Sequence, residues 1–144
     1  MNIKFKVAMA ALHQNDDAFA AGLISSVTHG RMREAALAAA LKNMAKTYGV
    51  TLKDTYINPR GCFHIIAAER FGARFADVLN TASPRRGAVP GAVLTEQAAW
   101  CFMDHCDVER LVLRFYAQES AKPSVRSRLA RQMRAVFAPS VTAS

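Results

Sequence analysis

The sequence predicts an all-α fold, a single compact bundle of about six helices with short connections. Three observations predict it. Alanine is abundant whereas glycine occurs only seven times, a composition that favours helix. Apolar residues recur at three- and four-residue steps over long stretches. Between those stretches stand helix stops and starts, among them Gly30, Gly49, Pro59 and Pro123. With half of its residues hydrophobic, a chain of 144 residues can bury one domain's core. No linker or internal repeat divides it, so 1–144 is expected to be one helical domain, with 139–144 a fraying tail.

Taken in order, residues 3–12 carry two signals. Ile3, Phe5 and Val7 alternate like a strand, while Met9–Leu12 favours helix, and helix is the expectation. Asn15, ahead of Asp16 and Asp17, suits an N-cap for a helix over 16–28 with Phe19, Leu23 and Val27 on one side. Gly30 would end it in the left-handed conformation. Residues 31–48 give the clearest helix: Leu37, Leu41, Met44 and Tyr48 form a narrow apolar stripe opposite Arg31, Lys42 and Lys46, and Gly49 stops it. Thr51 could cap a short turn that Pro59 ends.

A second long helix is expected over 60–80, where Phe63, Ala67, Phe71, Phe75 and Val78 cluster, with Gly72 marking a break or a close approach. Residues 81–94 hold two prolines, two glycines and Arg85–Arg86, the composition of an exposed loop. Thr95 suits the N-cap of a helix to about His105, and Asp107 that of another to about Ser120. The last helix, 125–137, sets Val125, Leu129, Met133, Val136 and Phe137 in one band opposite Arg128, Arg131 and Arg134.

The charge pattern is the strongest functional signal. Nineteen basic residues stand against eleven acidic ones, a net charge of +8. The excess is spread over both halves, so it belongs to the whole domain and favours encounter with polyanions. After Glu119 there is no acid, while Lys122, Arg126, Arg128, Arg131 and Arg134 follow. Guanidinium groups bind phosphate bidentately, and a row of them on a helix can track a nucleic-acid backbone. Without interleaved aromatic residues, base stacking is unsupported. The plainer alternative is a solvated face on a docked helix.

A helix-turn-helix is a further candidate. Met44, Ala45, Tyr48, Gly49 and Val50 have its spacing, and residues 51–57 would form a recognition helix offering Lys53, Asp54 and Tyr56 to a major groove. Thr55 at the inward position and the early Pro59 depart from the pattern, and an ordinary glycine stop also explains it. Cys62 with His64 and Cys101 with His105 could supply four zinc ligands, but neither pair has knuckle spacing, so no metal is expected. Small buried cysteines explain Cys62, Cys101 and Cys106 as well, and their odd number fits a reducing compartment. No phosphate loop, nucleophile elbow or metalloprotease helix occurs. Glu69, Glu96 and Glu109 read as surface residues, and the run Asp104–His105–Asp107–Glu109 as two helix ends.

The N-terminus resembles a signal peptide through Lys4 and Lys6, but its apolar core stops at His13, too short for one. No apolar run approaches the length that spans a bilayer. The expectation is a small, cytoplasmic, non-enzymatic regulatory protein without a cofactor. It would bind nucleic acid, DNA sooner than RNA, through Arg126, Arg128, Arg131 and Arg134, assisted by Arg85, Arg86, Lys53 and Tyr56. The alternative is an inhibitor or adaptor whose basic face binds an acidic partner protein. Exposed apolar residues on the 16–28 or 96–105 helices would suit a homodimer.

Overall fold

The computed structural model describes residues 1–57, 63–68, 72–80, 93–94, 99–122 and 132–133. Helices dominate them, as the composition predicts: α1 (Ile3–Ala20), α2 (Ser26–Thr47), α3 (Gly72–Asn80) and α4 (His105–Ala121). Among the described residues, however, these helices are accompanied by a sheet, and four helices stand where about six were expected. Strands β1 (Leu52–Ile57), β2 (Phe63–Ala68), β3 (Val93–Leu94) and β4 (Ala99–Asp104) form a sheet in the order β1-β2-β4-β3. Each neighbouring pair in it is antiparallel.

Helix α1 starts at Asn2, whose side-chain oxygen accepts from the Phe5 amide at 2.7 Å. From there an alanine-rich stretch without glycine or proline propagates through Asn15, which is therefore no cap. The real break comes at Gly22, in the left-handed region with φ +74°. The Gly22 and Leu23 amides return to the carbonyls of Phe19 and Ala18, closing a Schellman stop. Ser25 then caps α2 by accepting from the Thr28 amide at 3.2 Å. Gly30 lies inside α2 rather than at an end. Gly49 does end it, and the amides of Gly49 and Val50 close the same motif on Lys46 and Ala45.

The corrections to the helix reading fall where the sheet forms. The proposed recognition helix at 51–57 is β1, and the long helix at 60–80 is β2 followed by α3, which starts at Gly72 with φ +68°. The helix expected up to His105 is β4, running directly into α4. Ile65–Ile66 and Trp100–Met103 are short apolar runs that periodicity cannot assign, and β-branched and aromatic residues suit inner strands. Their pairing joins residues far apart in sequence, for example Ile66 with Cys101 and Phe63 with Asp104.

The core gathers one face of each helix. Phe5, Met9 and Leu12 of α1 meet Leu37, Leu41 and Met44 of α2, the stripe predicted over 31–48. Val108, Leu111, Val112 and Phe115 of α4 complete it with Phe75 and Leu79 of α3. The Phe5 and Phe115 rings meet edge to face at 5.0 Å. Leu52 and Met103 bring the sheet into the same cluster. No helix among the described residues is long and apolar enough to cross a membrane.

Candidate interaction face

Packing α1 against α2 through this core leaves the hairpin a second, outward side. Alanines line it: Ala8 and Ala11 from α1, Ala35, Ala36 and Ala39 from α2. Their small side chains leave a groove of about 530 Å³ between the helices. Val7 and Met32, both substantially exposed, form its apolar lips. The polar lining residues are Lys4, Asn15 and Asn43.

Asn43 carries an unmet hydrogen-bonding atom. Its side-chain nitrogen donates to the Ala39 carbonyl at 2.8 Å, which fixes the amide's orientation. The buried Oδ1 is left without a donor among the described residues. A buried acceptor in that condition costs about 1–3 kcal/mol.

The surroundings of the groove are cationic. Lys42 lies three residues past Ala39 and Lys46 three past Asn43, in the adjoining surface row of α2, while Arg31, four before Ala35, extends the Ala35–Ala39–Asn43 row by one turn. All three are exposed. None of the acids of α1 and α2, Asp16, Asp17 and Glu34, lines the groove.

At the α1–α2 turn a second group of side chains comes together. The Arg33 guanidinium donates twice to Glu109 of α4, one bond at 3.0 Å, and lies 3.4 Å from the Asp16 carboxylate. His29 meets the same carboxylate at 2.6 Å and stacks on Phe19, ring centroids 4.3 Å apart. His105 lies 3.4 Å from Arg33. The Glu109 hydrogen bond, with the charges of Glu109 and Asp16, outweighs partial burial and raises the Arg33 pKa above its ordinary value. A guanidinium held that way carries no proton traffic, so the cluster ties α1, α2 and α4 together. Glu109, read from sequence as a surface residue, is half-buried in it.

Of the sequence-predicted binding residues, only Lys53 and Tyr56 fall among those described. Arg126, Arg128, Arg131 and Arg134 lie outside the described residues, as do Arg85 and Arg86. Within the terminal segment only residues 132–133 are described; they are helical, with Met133 more than half exposed. Lys53 and Tyr56 belong to β1 instead of a recognition helix; Lys53 is exposed, and Tyr56 pairs with Ile65. Cys101 sits on β4 and His105 on α4, so they do not share a helical face, and Cys62 is outside the described residues. No cluster of three or more potential metal ligands occurs among the described residues.

Sequence reasoning separated Lys42 and Lys46 from the apolar stripe but missed Ala11, Ala35, Ala39 and Asn43. Their spacing was the available signal: Ala35, Ala39 and Asn43 recur every fourth residue on α2, and Lys4, Ala8 and Ala11 recur at four and three on α1. Comparison with known proteins identifies no relative: no family model, no curated protein and no solved structure matches this chain.

Proposed function

We propose that this chain is a non-enzymatic regulatory protein that acts by binding an acidic partner protein through the α1–α2 face. The observation that carries this reading is the alanine-lined groove, free of acids and bordered by Lys4, Arg31, Lys42 and Lys46. An apolar floor is of no use to a phosphate backbone, which is held by cations and hydrogen-bond donors. It suits a protein surface whose apolar centre is ringed by carboxylates, with the cations supplying steering and specificity. The net charge of +8 extends that steering beyond the face itself. Nucleic-acid binding through the arginines at 126–134 and 85–86 rests on their sequence pattern and is the competing outcome.

Affinity capture with the full chain, before and after nuclease treatment, tests the proposal. Expected is an acidic protein that survives digestion and is lost with the Lys42→Glu/Lys46→Glu double variant. Material that disappears on digestion, together with direct low-salt binding of duplex DNA, would replace this reading with the nucleic-acid one.

A further inference from the structure

We infer that the groove between α1 and α2 receives a single amphipathic helix of the acidic partner; this rests on the reading just given and specifies the shape that its partner presents. The groove follows two helices for the same distance, from Lys4 to Asn15 on α1 and from Met32 to Asn43 on α2. Eleven residue steps of helix correspond to about 16 Å, or three turns. A concave, apolar trough of that length matches the ridge made by residues at i, i+4, i+7 and i+11 of another helix. Alanine floors admit large side chains from the visitor, and the Val7 and Met32 lips flank them.

Charge selects among the possible occupants. A second copy of this chain seated through the same face would set Lys4, Lys42 and Lys46 against their own equivalents if the helices ran parallel, and against Arg31 if they ran antiparallel, so cations meet cations either way. The basic segment after Glu119 meets the same objection, since it carries five cations and no acid. A foreign helix flanked by glutamate or aspartate is attracted. The cations are also unevenly placed: Lys4, Lys42 and Lys46 lie toward the Asn43 end and Arg31 toward the other. The visitor's acids therefore concentrate at that end.

The test uses three capped synthetic peptides of about 18 residues, long enough for the three turns of contact plus flanks. One is an amphipathic helix with leucines at three- and four-residue spacing and flanking glutamates. The second replaces the glutamates by lysines, and the third shuffles the first so that no apolar face forms. Binding to the full chain is read by fluorescence anisotropy. The acidic amphipathic peptide is expected to bind at least about tenfold more tightly than the other two. Val7→Ser/Met32→Ser and Lys42→Glu/Lys46→Glu, which alter only exposed side chains, should each weaken it by about tenfold or more while leaving the circular dichroism unchanged.

Equal binding of the shuffled acidic peptide, sensitive to the lysines but not to Val7 and Met32, would overturn the helix-in-groove inference and leave the acidic-partner reading standing. Binding of none of the peptides would also overturn it, and the nuclease-treated capture then decides the broader reading separately. A dimer that dissociates with Val7→Ser/Met32→Ser in sedimentation would make a second copy the occupant and overturn it as well.

Discussion

Gly22, Gly30 and Gly49 look alike in the sequence, yet only two of them end a helix. Gly22 and Gly49 have φ of +74°, where a side chain is strained, whereas Gly30 sits within α2 and a Cβ there meets no atom within 4 Å. Gly30→Ala should therefore stabilise the protein by about 0.5–1 kcal/mol, and Gly22→Ala or Gly49→Ala should destabilise it by more than that, all read by urea denaturation. What distinguishes the stops in the sequence is their company: Ser25 follows Gly22 at cap distance, and nothing comparable follows Gly30. Glu119 offers a second test at this scale. The hydrogen bond and charge of Lys122, with the Met1 ammonium nearby, outweigh partial burial and hold its pKa below the ordinary carboxylate value. A carboxylate depressed by folding contributes stability above its unfolded pKa and loses it as pH falls through the folded one. The stability difference between the parent protein and Glu119→Gln should be full at neutral pH and close below about pH 4.

Among the elements, α2 shows why helices were readable and strands were not. Its stripe of Leu37, Leu41 and Met44 is local information, and all three are buried where periodicity places them. The strands owe their existence to partners elsewhere in the chain. Phe63, Ala67, Phe71 and Phe75 happen to recur every fourth residue, which imitates a helix, while Ile65–Ile66 pairs with β1 on one side and β4 on the other. The sequence Asn58–Pro59–Arg60–Gly61 between β1 and β2 is turn chemistry and was the missed hint of a hairpin. Arg33 binds three helices at once, and its two bonds to Glu109 require a planar fork. Arg33→Lys, which retains charge but not the fork, should cost about 1–3 kcal/mol in thermal or chemical unfolding.

At the scale of the whole molecule, the cationic surplus was legible from composition, whereas the groove was not. It exists only because α1 folds back on α2 and brings Ala11 and Ala39 to the same trough. The terminal arginines dominate the sequence's charge pattern, whereas the partner binding proposed above rests on the apolar groove between the helices. The sheet adds a different kind of selectivity. Among the described strands β1 is outermost, and its register against β2 slips between Leu52 and Asp54, with the exposed Lys53 at the irregularity. A regular rim would be a template on which copies could zip together by backbone alone. One supernumerary residue interrupts that regular ladder, a feature that works against edge-to-edge pairing of copies.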